Sequence, residues 1–162
     1  MFGFCKKKGK KTALYATQTA TQVKLEGIPD EVFATGILGV GTAVMPAEGI
    51  VKSPVSGTVK SITDTLHAIC LTDENGVDFL VHVGIDTVQL NGEGFSVLVA
   101  EGDHVNVGDP LMDVNLDILK SKGYQLHTPT VITDADDITL DISEPQDVVS
   151  GETIVAYYSF SR

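Results

Sequence analysis

Short runs rich in Val, Ile and Thr fill the chain from residue 13 onward, and Gly, Asn or Asp breaks them about every 6 to 12 residues. Runs of this length are typical of strands that are joined by tight turns. The pattern therefore predicts an all-β domain over residues 13–162, an antiparallel barrel or sandwich with one or two short helices. The 162 residues suffice for a single domain with its own hydrophobic core.

Local signals place one hairpin and one helix. Asn75-Gly76 separates the strand candidates Ala68–Thr72 and Val77–Val83, and it predicts a tight turn because both residues tolerate positive φ. The clearest helix candidate is Asn115–Lys122, in which Asn115 caps the start and the following glycine ends the helix.

One short pattern occurs twice in the second half of the chain. The pattern V-x-x-G-[DE]-x-[LI] spans Val105–Leu111 and again Val148–Ile154. A turn glycine at the same offset between strand residues indicates one hairpin used twice. We therefore expect a duplicated β motif.

The basic residues are concentrated at the start of the chain. The first eleven residues hold five of the 11 Lys and Arg residues and none of the 22 Asp and Glu residues. Residues 1–12 are predicted to form a flexible tail that could weakly contact an anionic membrane. The acidic remainder repels nucleic acid and favours a basic protein partner. Neither an apolar run of about 20 residues nor a secretory signal is visible, so we expect a cytoplasmic protein.

His82 is the most informative of the four histidines. It lies in the apolar run Phe79–Val83, and in a strand it would share a face with Leu80. Taken alone, it is more readily explained as a core histidine. His67 alters that balance because it lies just before the partner strand and would come near His82 across the hairpin. His104 and His127 are expected to be surface residues without a catalytic role.

Two neighbouring imidazoles suit phosphoryl transfer. A neutral imidazole supplies a nucleophilic nitrogen near neutral pH, and a second one can donate a hydrogen bond to phosphoryl oxygens. Thr65, two residues before His67 and on the same predicted strand face, could fix the tautomer of His67. The carbonyl of Gly84 could do the same for His82.

The same residues permit a metal hypothesis. His67, His82 and Asp86 could ligate zinc, which accepts imidazole and carboxylate ligands. His82-x-x-x-Asp86 also matches one half of the lysostaphin-type zinc peptidase motif. Those enzymes add an H-x-H, which this chain lacks, so a peptidase is disfavoured.

The stretch from Leu80 to Phe95, LVHVGIDTVQLNGEGF, resembles the signature of the glucose-type enzyme IIA family of the sugar phosphotransferase system. Similar blocks occur at Ile28–Ala34, Ser53–Val59, Thr65–Ala68 and Glu101–Asp103. The resemblance extends from Val23 to the end of the chain.

The resemblance implies a β-sandwich built from a duplicated hybrid motif. It implies a phosphotransferase component that needs no cofactor, accepts a phosphoryl group from the histidine of the small carrier HPr and donates it to a cysteine on the IIB domain of a glucose-family permease. His82 matches the phosphorylated histidine, through Nε2, and His67 matches the supporting histidine. Thr65 matches the hydroxyl partner of His67.

The resemblance also implies a docking surface around the two histidines. The acidic residues that face HPr match Asp30 and Asp86. The apolar docking residues match Val32 and Phe33, and Val88 is placed to join them.

Two departures from the family pattern affect this surface and the first strand. Gly39-Val40-Gly41 stands where the family often has Gly-Asp-Gly. Ala16–Ala20 replaces the usual A/S-P-x-x-G block, so we expect a shifted first strand.

Two other functions remain open. The chain could be a regulatory binding module whose unphosphorylated face controls other metabolic proteins, with zinc bridging through His67 and His82. It could also be a lipoyl- or biotin-carrier domain, because Gly108–Leu111 resembles part of such barrels. That alternative is disfavoured because no Met-Lys-Met or Asp-Lys-Ala tip is present.

Overall fold

Short antiparallel strands make up most of the domain. The structure is a computed structural model that describes residues 10–161. Its strands are β1 (Thr12–Tyr15), β2 (Ala20–Val23), β3 (Val40–Pro46), β4 (Ile50–Lys52), β5 (Gly57–Ile62), β6 (Ala68–Asp73), β7 (Asp78–His82), β8 (Phe95–Val97), β9 (His104–Val105), β10 (Pro110–Val114), β11 (Thr128–Ile132), β12 (Ile138–Ile142), β13 (Asp147–Val148) and β14 (Ile154–Phe160). The helices are α1 (Glu31–Ala34), α2 (Leu116–Ser121) and the 3-10 turns Leu25–Gly27 and Thr87–Leu90.

The strands form one large sheet and two small ones. The large sheet has the order β13-β2-β3-β11-β7-β6-β5-β9, and the small sheets have the orders β1-β14-β12 and β4-β10-β8. Each pair of neighbouring strands is antiparallel. The predicted all-β class is therefore confirmed.

The predicted duplication is visible in the sheet order. The central pair β11-β7 divides the large sheet into two halves of four strands. Strands β4–β10 form one half and the small sheet β4-β10-β8, and the remaining strands form the other half and the small sheet β1-β14-β12. The two copies exchange equivalent hydrogen bonds, because Tyr15 N donates to Pro54 O over 3.0 Å and Lys52 N donates to Thr17 O over 2.7 Å. The second copy, β4–β10, is inserted in the chain between β3 and β11.

The repeated sequence pattern occupies equivalent positions in the two copies. Val105 pairs with Gly57, and Val148 pairs with Ala20. Ala20 therefore occupies in its copy the place that Gly57 has in the other. The first strand itself, β1, pairs with β14 with an irregularity of register between Leu14 and Tyr15. Its expected shift relative to the family stays a prediction.

The main core lies between the sheets and is formed by inward-facing aliphatic and aromatic side chains. Along β7 the alternation is regular, with Phe79 and Val81 fully buried and Leu80 and His82 partly exposed. Leu80 and His82 thus share the outer face of the large sheet, as predicted from the period of a strand.

The hairpin that carries both histidines differs in its turn from the prediction. β6 and β7 pair with Thr72 opposite Asp78, and Asp73 N donates to Val77 O over 2.9 Å. The loop therefore has three residues, of which only Gly76 has positive φ, at 80°. The Asp73 carboxylate accepts hydrogen bonds from Asn75 N and Val77 N, and these bonds favour the longer loop.

Helix α2 agrees with the prediction. Asn115 caps it by accepting from Ile118 N over 3.1 Å, and Gly123 follows its end with φ of 85°. β1 begins at Thr12, so the last residue of the predicted tail belongs to the domain. Residues 1–9, on which the membrane prediction depends, lie outside the described residues. Within residues 10–161 no helix is long and apolar enough to cross a membrane.

Candidate functional site

A small second core lies on the outer face of the large sheet, beneath α1. Its buried members come from α1, from the segments that flank it, from β3 and β11 and from the segment after β7: Leu25, Ile28, Phe33, Ala43, Ile85 and Val131. Leu80 packs against it from β7. Because Leu80 and His82 share a face, His82 lies at the margin of this core.

The His82 ring is held on two sides. Its Nδ1 lies 2.9 Å from the carbonyl oxygen of Gly84, which can only accept, so Nδ1 carries the proton and donates it. The ring of Phe33 packs against it with centroids 5.0 Å apart. A neutral His82 therefore has its lone pair on Nε2.

His67 lies beside His82. The two ring centroids are 4.8 Å apart and the ring planes meet at 81°. Nδ1 of His67 lies 2.8 Å from the hydroxyl of Thr65 and 3.4 Å from that of Thr63. When the Thr65 hydroxyl donates to Nδ1, the His67 proton is on Nε2.

The path by which His67 reaches His82 differs from the predicted one. Thr65 and His67 precede β6 and lie in a turn, so they do not share a strand face as expected. Ala68 is the residue opposite His82 in the ladder, and regular alternation would point His67 to the other face. Leu66 has φ of 65°, in the left-handed region, and this bend allows the two rings to meet.

Burial keeps both imidazoles neutral. Burial, and then the neighbouring His67, lower the pKa of His82 to about 4. The Gly84 hydrogen bond and the carboxylates of Asp30 and Asp86 oppose this shift. Burial also lowers the pKa of His67, opposed by hydrogen bonding to the Thr65 main chain.

The two acids lie close enough to influence His82 and are held differently. Asp30 caps α1, and its side chain accepts from Val32 N over 2.9 Å. Asp86 is exposed, with φ of 60°, and makes no capping hydrogen bond. Both carboxylates favour the protonated form of His82 through their charge.

The predicted apolar docking residues fall into two groups. Val32 and Val88 are 44% and 49% exposed and are accessible to a partner. Phe33 is only 3% exposed, so its expected place on the docking surface is wrong. Its ring instead fills the second core and packs against His82, because α1 turns this residue inward.

Main-chain carbonyls of the segment just before β11 support the site, and the sequence did not mark them as acceptors. Gly84 N donates to the carbonyl of His127 over 3.0 Å, and Ile85 N donates to the carbonyl of Gln125 over 3.0 Å. His104 is exposed as predicted, but His127 is partly buried. No sequence signal marks carbonyl acceptors, because any residue type can provide them.

The metal hypothesis finds little support in the arrangement. Among residues 10–161, no group of three or more His, Cys, Asp and Glu side chains could hold a metal ion, so Asp86 does not complete a site with the two histidines. His67 and His82 would supply at most two of the four ligands that zinc usually takes. Zinc binding there remains a prediction that requires ligands from a bound partner.

Comparison with known proteins identifies the family. The family model described as "phosphoenolpyruvate-dependent sugar phosphotransferase system, EIIA 1" matches residues 12–138, so the likeness begins before Val23. The glucose-specific EIIA components of Staphylococcus aureus strain Mu50 and Staphylococcus epidermidis strain ATCC 12228 are 46% and 43% identical to this chain. Each match covers 96% of this chain and 94% of the relative.

A solved structure has the same fold. The glucose permease IIA from Mycoplasma capricolum superposes with a TM-score of 0.86 at 33% identity, over 92% of this chain and 96% of that one. This chain belongs to the EIIA 1 family of the phosphoenolpyruvate-dependent sugar phosphotransferase system and has the phosphocarrier role of that family.

Proposed function

We propose that this protein carries the phosphoryl group on Nε2 of His82, accepts it from phospho-HPr and donates it to the IIB domain of a glucose-family permease. The observation that carries the proposal is the hydrogen bond from His82 Nδ1 to the Gly84 carbonyl, at 2.9 Å. That bond places the proton on Nδ1 and leaves Nε2 as the nucleophile. The lowered pKa of His82 keeps this nitrogen unprotonated at pH 7.

Acceptance is an in-line displacement at phosphorus. The Nε2 lone pair of His82 forms the new P–N bond while the P–N bond of phospho-HPr breaks, and the HPr ring nitrogen leaves with the electron pair. The proton of His82 stays on Nδ1 throughout, where it is hydrogen-bonded to the carbonyl oxygen of Gly84. The positive charge that the ring gains is offset by the phosphoryl group and by the nearby carboxylates of Asp30 and Asp86.

Donation reverses these roles. A cysteine thiolate of the IIB domain forms the P–S bond, and His82 Nε2 takes back its electron pair. The environment that lowers the pKa of His82 makes Nε2 weakly basic, and a weakly basic nitrogen is a good leaving group. The same environment therefore favours onward transfer.

His67 supplies the electrostatic support. With Thr65 donating to Nδ1, the Nε2–H of His67 can donate to a phosphoryl oxygen on His82. The ring separation of 4.8 Å is compatible with a phosphoryl group that contacts both imidazoles. Thr65 thus acts by orienting His67, and Gly84 by orienting His82.

The surface around the histidines fits partners that dock in succession. Val32 and Val88 are exposed apolar side chains, and Asp30 and Asp86 add negative charge beside His82. A basic partner surface with an apolar centre complements this arrangement, and the acids mainly increase the association rate. The names of the Staphylococcus relatives favour a glucose permease as the final acceptor.

Transfer of radiolabel tests the proposal. Labelled phospho-HPr should label the wild-type protein, and addition of a glucose-permease IIB domain should remove the label. His82→Gln should take up no label, whereas His104→Gln, which changes an exposed histidine, should behave like the wild type. Labelling of His82→Gln at the wild-type rate would contradict the proposal.

A further inference from the structure

The segment after His82 forms a tight loop that is closed by a side chain. Gly84 and Asp86 have φ of 79° and 60°, both in the left-handed region, and Thr87 begins the 3-10 turn that follows. Thr87 is fully buried, and its hydroxyl donates to the carbonyl of Val83 over 2.5 Å. This bond spans the loop that contains Gly84.

The methyl group of Thr87 contacts the same loop. A Cβ atom added to Gly84 would lie 2.5 Å from Cγ2 of Thr87 and 3.2 Å from the carbonyl oxygen of Gln125. The methyl group therefore packs directly over the bare α-carbon of Gly84. Thr87 thus restrains Gly84 through its hydroxyl, which holds the preceding carbonyl, and through its methyl group.

The other contacts of Gly84 leave its carbonyl free for His82. Gly84 N donates to His127 O, and the next amide, Ile85 N, donates to Gln125 O. These two bonds attach the loop to the segment before β11. The Thr87 side chain, which follows the loop in the chain, holds it through the Val83 carbonyl. The Gly84 carbonyl then meets His82 Nδ1 at 2.9 Å.

We propose that Thr87 is a positioning residue for phosphoryl transfer, which fixes the Gly84 carbonyl and thereby keeps the proton of His82 on Nδ1 and the lone pair on Nε2. The role of His82 Nε2 as the nucleophile rests on the function proposed above. The effect of Thr87 on the His82 tautomer does not depend on that function. A buried threonine that only stabilised the fold would leave that tautomer unchanged.

Two substitutions distinguish the contribution of the Thr87 hydroxyl from that of its methyl group. Thr87→Val keeps the shape and removes the hydroxyl, whereas Thr87→Ser keeps the hydroxyl and removes the methyl group. Thr42→Val is a matched control, because Thr42 is also buried and hydrogen-bonded but lies on β3, two strands away from His82. Thermal unfolding of each variant shows how much stability each change removes.

Nitrogen-15 NMR of the imidazole rings measures the tautomer of His82 directly in the unphosphorylated protein. In Thr87→Val we expect a substantial population with the proton on Nε2, and a rate of labelling by phospho-HPr that is lower by about fivefold to tenfold, the effect of one hydrogen bond. Thr87→Ser should retain the Nδ1–H tautomer and most of the rate. Thr42→Val should lower the melting temperature without changing the tautomer.

The proposal is overturned if the His82 tautomer in Thr87→Val equals that in the wild type, or if Thr42→Val changes it equally. If Thr87→Val does not fold, Thr87→Ala removes the hydroxyl with less steric demand, and the same two readouts decide. If wild-type His82 takes up no label, the proposed function fails. A change of tautomer in Thr87→Val would still establish the positioning role of Thr87.

Discussion

The ring of His67 stands edge-on to the ring of His82, with the centroids 4.8 Å apart and the planes at 81°. This arrangement divides the chemistry between two identical side chains. His82 is fixed by a carbonyl acceptor and presents a lone pair. The Nδ1 atom of His67 faces the Thr65 hydroxyl, and when that hydroxyl donates, His67 presents an Nε2–H group. The difference follows from the two hydrogen-bond partners.

Replacement of His67 should affect the second half-reaction more than the first. In His67→Gln the imidazole donor to the phosphoryl oxygens is lost, so transfer to a IIB domain should slow by about 100-fold, the effect of removing one preorganised donor. Rapid-quench measurement of label in each direction checks this. Acceptance from phospho-HPr should fall much less. Transfer to the IIB domain at the wild-type rate would contradict the assigned role.

The stability of the protein should fall at acidic pH in part because of His82. An unfolded histidine has a pKa of about 6.5, and burial lowers that of folded His82 to about 4. Between these values the unfolded state binds more protons, so this contribution is present above about pH 6.5 and is lost as the pH falls towards 4, by up to about 3 kcal/mol.

Denaturant unfolding of the wild type and of His82→Gln measures this contribution. The free energy of unfolding of the wild type, relative to that of His82→Gln, should decline between pH 7 and pH 4.5. The difference cancels the titration of carboxylates that both proteins share. A difference that is constant across this range would show that His82 is not buried in its neutral form.

The turn glycines of the two copies, Gly108 and Gly151, pack against each other, and the stability of the protein should depend on this close contact. Gly151 has φ of 72°, and a Cβ there would lie 2.8 Å from Cα of Gly108. Gly102 has φ of 92° with nothing within 4 Å of such a Cβ. We expect Gly102→Ala to cost about 1 kcal/mol through backbone strain alone. Gly151→Ala should lower the free energy of unfolding, measured by chemical denaturation, by more than Gly102→Ala does. Equal losses in the two variants would contradict the close packing of Gly151 against Gly108.

A buried network should stabilise the turn of the β6–β7 hairpin. The hydroxyl of Tyr158 donates to the Asp73 carboxylate and accepts from Nδ2 of Asn75. Burial raises the pKa of Asp73, and the Tyr158 hydrogen bond opposes that shift. Tyr158→Phe should lower the free energy of unfolding by about 1–3 kcal/mol, because the buried Asp73 and the half-buried Asn75 each lose a hydrogen bond.

Chemical denaturation checks the network, with Tyr157→Phe as the control. Tyr157 is the neighbouring residue on β14 and is 39% exposed, so its substitution should change stability by less than about 0.5 kcal/mol. Equal losses of free energy of unfolding in Tyr158→Phe and Tyr157→Phe would show that the hydrogen bonds of the Tyr158 hydroxyl do not stabilise the turn.

Much of the architecture could be predicted because it depends on local patterns. The alternation in Phe79–Val83 set the two faces of β7, Asn115 marked the start of α2, and the repeated Gly pattern revealed the duplication. Each of these features arises from a few neighbouring residues. These three features could therefore be predicted from the sequence without knowledge of the remainder of the fold.

The features that were not predicted depend on distant or unusual contacts. Leucine rarely adopts positive φ, so the bend at Leu66 that turns His67 towards His82 has no sequence signal. Helix α1 has four residues, too few to show a periodic pattern, and so the inward position of Phe33 was missed. The acceptors on Gln125 and His127 are main-chain atoms, which composition does not reveal.

The position of the phosphoryl group tests the central claim most directly. The protein should be phosphorylated with phospho-HPr, digested at neutral to alkaline pH and mapped by mass spectrometry, with nitrogen-15 NMR to identify the bonded ring nitrogen. We predict one phosphoryl group, on Nε2 of His82, with the proton retained on Nδ1. A group on His67, on any other residue or on Nδ1 of His82 would contradict the account.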